Sequence, residues 1–144
     1  LNQLIDSVVS LYRERCQKEG ITLKYDQSDE VKIQGDDHHL KRLFINLMDN
    51  AVKFTDVGGS ITISCKIRDG AGVVRIEDTG IGIDPETLSH LGTRFYRADQ
   101  ARAKEGAGLG LSIVHAICDV HQAELQIESQ VGKGTAVSVK FHLA

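Results

Sequence analysis

Long apolar runs are missing from this sequence. No stretch approaches the roughly 20 apolar residues that are needed to cross a bilayer, and no signal peptide is visible at the start. We therefore expect a soluble, cytoplasmic chain. Because the sequence begins at Leu1 rather than at a methionine, we interpret it as a fragment of a longer protein.

Two further absences limit the partners and the compartment. There is no excess of basic residues, since the formal net charge is −3 and lysines and arginines are dispersed, which argues against a nucleic-acid partner. Cys16, Cys65 and Cys118 are odd in number and lack CxxC spacing, which favours buried, unreactive thiols in a reducing compartment. The composition, 41% hydrophobic and 26% charged, is typical of one globular domain over residues 1–144.

Three segments have apolar residues at helical spacing. They cover residues 2–19, about 36–54 and 109–121, and Gly20 is a stop signal for the first of them. Asp36 or Asp37 can cap the second helix. A short further helix is predicted after Asp84, because proline is tolerated in a first helical turn.

Alternating apolar and polar residues predict strands. The predicted strands cover residues 21–25, 31–34, 61–67, 73–78, 126–129 and 135–143. Asp69-Gly70 predicts a tight turn between the third and fourth strands. A second hairpin is predicted around Gly132-Lys133-Gly134, between the last two strands.

The turn after Asp78 is the first candidate for ligand binding. Gly80 and Gly82 follow this carboxylate and remove the Cβ atoms that would keep a flat ring away from the backbone. A carboxylate in this position can accept a hydrogen bond from an exocyclic amine such as that of adenine. The alternative for this stretch is an ordinary hairpin turn with an exposed aspartate.

The long helix over residues 36–54 has a second candidate surface. At about 100° per residue, its apolar side chains fill one arc, which we assign to the core. The opposite stripe holds Asn46, Asn50 and Lys53, with Asp49 at its edge. Amide oxygens are suitable ligands for Mg²⁺, and the lysine one turn further can meet phosphates. The alternative is a solvated helix face.

Residues 93–110 show no periodicity. They are polar, basic and glycine-rich, which is typical of a mobile loop, and we interpret them as a lid. Gly106, Gly108 and Gly110 stand at the start of the following helix, where free N–H groups favour an anion such as a triphosphate. Their GxGxG spacing fits neither a P-loop nor a Rossmann fingerprint.

Five segments, in order along the chain, resemble the N, G1, F, G2 and G3 boxes of the catalytic ATP-binding domain of sensor histidine kinases. They are residues 43–55, 78–82, 94–97, 106–111 and 132–135. The resemblance covers nearly the whole chain. It implies the Bergerat-type fold shared with gyrase-type ATPases, an α+β two-layer sandwich in which helices cover one face of a mixed, mostly antiparallel sheet. It also implies ATP and Mg²⁺ as cofactors.

The resemblance assigns roles at matching positions. Asp78 would hold the adenine amino group, with Thr135 assisting through water. The implied catalytic residues are Asn46, Asn50, Lys53 and Arg97. Of these, the two asparagines would serve Mg²⁺ and the two cations would approach the phosphates. The other implied nucleotide contacts are Phe54, Gly80, Gly82, Ile83, Phe95, Tyr96, Gly106, Gly108, Leu109, Gly110 and Leu111. Among them, the glycines at 106, 108 and 110 would be the hinges of the lid.

One position bears on the type of reaction. Hydrolysing relatives carry a glutamate four residues before the magnesium asparagine, whereas this chain has the neutral Asn46 there. Transfer to a neutral imidazole needs no strong base, so phosphoryl transfer is favoured over hydrolysis. The alternatives are a module that binds ATP without transfer and an ATP hydrolase.

None of the histidines lies in the sequence setting of the family's phosphate acceptor. We therefore expect the acceptor on a dimerisation domain that precedes the helix of residues 1–19, or on another chain. A response regulator is the expected next partner. Contact with a membrane is expected only through other segments of an inner-membrane sensor kinase whose cytoplasmic part includes this domain.

Overall fold

In the computed structural model of the protein, residues 1–87 and 107–144 are described, with only the backbone course for residues 107–110. The described helices are α1 (Asn2–Lys18), α2 (Asp37–Phe54) and α3 (Ala107–Val120). The described strands are β1 (Thr22–Gln27), β2 (Ser60–Arg68), β3 (Ala71–Asp78), β4 (Glu124–Gln130) and β5 (Gly134–His142). A helical turn also follows Asp84, whose Oδ1 accepts a hydrogen bond from the Thr87 N–H at 2.9 Å, as predicted for a helix start.

The described strands form one sheet in the order β1-β2-β3-β5-β4. β1 runs parallel to β2, because α2 carries the chain back across the sheet between them. The other neighbouring strands pair antiparallel. Both predicted hairpins are confirmed, with tight turns at residues 69–70 and 131–133.

The two faces of the sheet differ in polarity. Ile63 and Ile76 are aligned on neighbouring strands and belong to the core, against which the helices pack. The opposite face carries polar side chains such as Ser64, Arg75 and Ser138, which are aligned in the same way. The result is an α+β two-layer sandwich with a mixed, mostly antiparallel sheet, so the predicted fold class is confirmed.

Helix α2 forms much of the helical layer. Asp36 caps it by accepting a hydrogen bond from the His39 N–H at 3.0 Å, and the helix ends at Phe54, as predicted. Its buried side chains all belong to the predicted apolar arc; they are Leu40, Leu43, Phe44, Leu47, Met48, Ala51 and Val52. Ile45 and Phe54, at the margins of that arc, are only partly buried.

Helix α3 packs against α2 in the opposite direction. The Asp36 N–H donates to Nε2 of His121, just beyond α3, at 3.0 Å. The imidazole proton is therefore on Nδ1, which donates to the Ile117 carbonyl oxygen at 2.8 Å. Because Asp36 begins α2, this contact joins the C-terminal end of α3 to the N-terminal end of α2. The first turn of α3 consequently lies toward the C-terminal half of α2.

All three cysteines are free and buried, as predicted, and burial raises the pKa of the Cys65 and Cys118 thiols to about 11. Such thiols stay protonated and unreactive near neutral pH. Over the described ranges, 1–87 and 107–144, no helix combines the length and the apolar character that crossing a membrane requires.

The prediction of a strand over residues 31–34 is wrong. This segment does not pair in the described sheet: the Val31 backbone is bonded to α1, and the Lys32 carbonyl oxygen accepts the Ala144 N–H at 2.8 Å. The Val31 N–H donates to Oδ1 of Asn2 at 2.7 Å, and Nδ2 of Asn2 donates to the Asp29 carbonyl oxygen at 2.8 Å. The Val31 side chain is nevertheless 1% exposed, which explains the strand-like apolar signal.

Replacing Asn2 tests this attachment. Asn2→Ala should lower the free energy of unfolding by about 1–2 kcal/mol, because the part-buried Val31 N–H loses its acceptor. Urea denaturation measures the effect. Gln3→Ala, at the next and exposed position of α1, is the matched control and should change the stability by less than about 0.5 kcal/mol. Equal losses in the two variants would contradict the role of Asn2.

Candidate functional site

The site is organised around Asp78, the last residue of β3. Its side chain is buried, with 8% of the residue exposed. Oδ1 accepts hydrogen bonds from the backbone N–H groups of Gly80 at 2.8 Å and Thr135 at 3.3 Å. Thr135 is also the β5 partner of Asp78 in the sheet. Within the described residues both bonds end on Oδ1, so Oδ2 is available to accept a hydrogen bond from a ligand.

Burial controls the electrostatics of this carboxylate. Desolvation raises the pKa of Asp78 above its ordinary value, and the nearby charge of Glu77 adds to the increase. The two N–H donors from Gly80 and Thr135 lower the pKa and offset part of this effect. The Asp78 carboxyl is therefore protonated at a higher pH than an exposed aspartate. A ligand amine that hydrogen-bonds to Oδ2 favours the ionised form.

The turn after Asp78 lies directly against the C-terminal end of α2. The Ile81 N–H donates to the Phe54 carbonyl oxygen at 3.1 Å. A Cβ atom at Gly80 would lie 2.2 Å from that same oxygen, so no side chain fits there. Gly134 is equally constrained, because its φ is +126° and a Cβ atom would lie 2.0 Å from the Asp78 carbonyl oxygen. The wall beside the carboxylate is therefore backbone.

Ser129 of β4 is a site residue that the sequence analysis missed. Its Oγ accepts the Ile83 N–H at 2.7 Å and donates to the Gly134 carbonyl oxygen at 2.9 Å. It also lies 2.8 Å from Oγ1 of Thr135. Because the Ser129 hydroxyl donates its proton to Gly134, it accepts a hydrogen bond from the Thr135 hydroxyl. The lone pairs of Thr135 Oγ1 are then left to bind water. A serine in an alternating strand carries no local signal of this function.

The polar stripe of α2 divides between two sides of the helix. Nδ2 of Asn46 is buried and has no hydrogen-bond partner in the part of the chain that the structure describes. Asn50 is half-buried, and Lys53 is exposed with its Nζ 5.7 Å from the centroid of the Phe54 ring. Asp49 instead turns toward α1, where it contacts Tyr12 and Arg15. Asn46 and Asn50 remain candidates for ligand contact.

The remaining predicted site residues differ in where they lie. Gly108, Leu109 and Gly110 belong to the first turn of α3, whose direction brings its free N–H groups toward the C-terminal half of α2. Leu111 is 6% exposed and packs in the core. The others, together with the predicted lid, lie outside the described residues; they are Phe95, Tyr96, Arg97 and Gly106.

These parts combine different kinds of chemistry along one surface. At one end, a carboxylate in a buried residue, held by backbone N–H groups, suits a ligand with an exocyclic amine. Further along are two amides, one cation and the N-terminus of a helix, which suit an anion. The arrangement can therefore bind a molecule that has an amine-bearing ring at one end and anionic groups at the other.

Comparisons with known proteins agree with this chemistry. The sequence profile described as histidine kinase-, DNA gyrase B-, and HSP90-like ATPase matches residues 35–144. The histidine protein kinase DivJ of Caulobacter vibrioides is 42% identical over 113 residues, which cover 78% of this chain and 19% of DivJ. The sensor histidine kinase YkoH of Bacillus subtilis is 41% identical over 115 residues, which cover 78% of this chain and 25% of YkoH. The chain thus spans a quarter or less of these two relatives.

Solved structures give the same result. The catalytic domain of histidine kinase ThkA superposes with a TM-score of 0.85 at 26% identity, covering 99% of this chain and 92% of that domain. Full-length ShkA in complex with AMPPNP superposes with a TM-score of 0.83 at 26% identity, covering 99% of this chain and 30% of ShkA.

The burial of Asp78 has a measurable effect on stability. In the nucleotide-free protein, Asp78→Asn should raise the unfolding midpoint by roughly a few degrees near neutral pH, since it removes a buried charge and keeps Oδ1 as acceptor. The difference should shrink as the pH falls, because the raised pKa leaves wild-type Asp78 protonated there. Thermal unfolding across a pH series measures both effects. Glu128→Gln, which removes an exposed carboxylate from β4, should show neither. A destabilised Asp78→Asn at neutral pH would contradict this account.

Proposed function

The chain belongs to the family of histidine kinase-, DNA gyrase B- and HSP90-like ATPases, and from this premise we propose that it is the catalytic ATP-binding domain of a sensor histidine kinase. In this proposal it transfers the γ-phosphate of ATP to a histidine on a dimerisation domain, for onward transfer to an aspartate of a response regulator. The similarity to DivJ and YkoH, which are both named as histidine kinases, supports this function. The acceptor domain, the response regulator and a cytoplasmic position in an inner-membrane kinase are parts of the proposal.

The Oδ2 atom of Asp78, which accepts no hydrogen bond from the residues that the structure describes, is the observation that carries the proposal. Adenine has an amino group that can donate to this oxygen, and the bond from the Gly80 N–H to Oδ1 holds the carboxylate in place for it. The Oγ1 atom of Thr135, beside Asp78, would bind the water that completes recognition of the base. Gly82 and Ile83 continue the same turn, and Ser129 fixes it by its bond to the Ile83 N–H.

The amides of α2 fit a magnesium ion next to the phosphates. A buried amide nitrogen that has no hydrogen-bond partner among residues 1–87 and 107–144, as at Asn46, is expected where a ligand oxygen accepts its hydrogen bond. Asn46 and Asn50 would hold Mg²⁺, which when bound neutralises charge on the transferring phosphoryl group. Lys53 and the N–H groups at Gly108 and Gly110 would approach the phosphates. The roles of Phe54, Leu109 and Leu111, and of the residues outside the described ranges, stay predictions from the resemblance.

Transfer is favoured over hydrolysis by the charges around Asn46. A hydrolase needs a base to activate water, and Asn46 is neutral where hydrolysing relatives carry a glutamate. The nearest carboxylate along α2 is Asp49, which is engaged by the Tyr12 hydroxyl and by Arg15. A neutral imidazole is itself a nucleophile, so this chain needs only to position and stabilise the transferring group.

Base selectivity is the direct test of the role of Asp78. The protein should bind ATP more tightly than GTP, because guanine presents a carbonyl oxygen where adenine presents an amine. Asp78→Asn should bind ATP about tenfold more weakly or worse, since a charge-assisted hydrogen bond is lost. Calorimetric titration measures both. Glu128→Gln is the control and should bind like wild type. Equal affinities for ATP and GTP would rule out the adenine site.

The fate of the γ-phosphate separates the possible activities. With ATP labelled on that group, and a dimerisation domain supplied in the same polypeptide or as a separate chain, label should appear on a histidine of that domain. Asn50→Ala should lose transfer by about tenfold or more, because the metal loses an oxygen ligand. Label released only as inorganic phosphate would indicate a hydrolase. Label retained in ATP despite binding would indicate a module without transfer.

A further inference from the structure

A hydrogen-bonded cluster joins α1 to α2 beside the proposed magnesium site. The Tyr12 residue is 5% exposed, and its hydroxyl donates to Oδ1 of Asp49 and lies 3.1 Å from the Ile45 carbonyl oxygen. Nη1 of Arg15 lies 3.2 Å from the same Asp49 oxygen. The Arg15 guanidinium carbon also lies 5.8 Å from the centroid of the Tyr12 ring. Burial and the Asp49 bond raise the pKa of Tyr12, so its hydroxyl remains a donor.

The cluster contacts α2 at positions that adjoin both asparagines. Ile45 and Asp49 are four residues apart and share one side of the helix, and each immediately precedes an asparagine, Asn46 or Asn50. One residue along a helix is a rotation of about 100°, so the two pairs form adjacent stripes of the same rigid rod. Because Ile45 and Asp49 are held against α1, the direction in which Asn46 and Asn50 project from the helix is fixed as well.

We propose that Tyr12 is a positioning residue that sets the rotation of α2, through Asp49 and Ile45, and thereby the placement of the Asn46 and Asn50 amides. The inference rests on the proposed binding of Mg-ATP. Tyr12 lies outside the range of residues 35–144 that the family profile matches, so that match assigns it no role.

The magnitudes make such an effect measurable. Side-chain tips lie roughly 5–6 Å from a helix axis, so a rotation of about 10° moves them by about 1 Å. Magnesium demands near-ideal octahedral geometry, and a displacement of about 1 Å at a reacting site can cost a hundredfold in rate. Apolar packing on the other side of α2 is not directional, whereas the hydrogen bond from the Tyr12 hydroxyl to Asp49 is.

Nucleotide binding with and without the metal tests the inference. The full chain is titrated calorimetrically with AMPPNP in excess Mg²⁺ and in EDTA, and the ratio of the two affinities measures the contribution of the metal. Tyr12→Phe should lower this ratio by about tenfold and leave the affinity in EDTA unchanged. Tyr25→Phe is the matched control, because its hydroxyl donates to Gln27 at an exposed position of β1. It should keep the wild-type ratio.

A second variant makes the test independent of the folding of the first. The Asp49 side chain is 49% exposed, and Asp49→Ala removes the carboxylate that accepts the Tyr12 hydrogen bond. This variant should lower the ratio of the two AMPPNP affinities in the same way as Tyr12→Phe. If Tyr12→Phe is unfolded by circular dichroism, Asp49→Ala decides the matter. In the free protein, the side-chain amide NMR signals of Asn46 and Asn50 should shift in Tyr12→Phe and stay in place in Tyr25→Phe.

The outcomes separate this inference from the function on which it rests. A wild-type protein without metal-dependent AMPPNP binding would overturn the proposed magnesium site itself. Wild-type binding with an unchanged ratio in folded Tyr12→Phe and in Asp49→Ala would overturn the positioning role and leave the proposed function standing. Equal losses in Mg²⁺ and in EDTA would also overturn it, because they indicate general loosening of the fold.

Discussion

Two backbone N–H groups on a single carboxylate oxygen hold the candidate site together. Gly80 and Thr135 both donate to Oδ1 of Asp78, and these bonds tie the turn after β3 to the start of β5. The arrangement requires close approach of backbones, since a Cβ atom at Gly80 would overlap the Phe54 carbonyl group. Burial that follows from this approach raises the pKa of Asp78. The protein thus keeps a carboxylate under an energetic penalty that a hydrogen bond to Oδ2 would offset.

Helix α2 connects this turn to the rest of the molecule. Its apolar side packs into the core, Asp49 on a second side bonds to α1, and Asn46 and Asn50 on a third side remain for a ligand. Phe54, at its end, accepts the hydrogen bond from the turn. Since these sides belong to one rigid element, the placement of the two asparagines depends on contacts made elsewhere on the same helix. The stability of the core and the precision of the site are consequently linked.

Local sequence patterns were sufficient wherever the structure depends on near neighbours. Alternation over residues 61–67 predicted β2, and a polar residue before an apolar periodic run predicted the Asp36 cap of α2. The error over residues 31–34 has a clear cause. Val31 is buried as a strand residue would be, but its N–H bonds to a side chain 29 residues away on α1. Alternation reports which side chains are buried and does not report where the backbone finds its hydrogen-bond partners.

The sequence by itself determined the three long helices, five of the six predicted strands and the two hairpin turns, while its resemblance to a known family implied the class of fold. The helices, strands and turns follow from periodicity and turn propensity, which are properties of residues and their near neighbours. Only the tertiary structure decided that Asp49 leaves the stripe for Tyr12, 37 residues away, and that Ser129 fixes the Ile83 N–H, 46 residues away. The physical reason is that such bonds exist only after separate elements have packed, and packing sets the direction of each side chain.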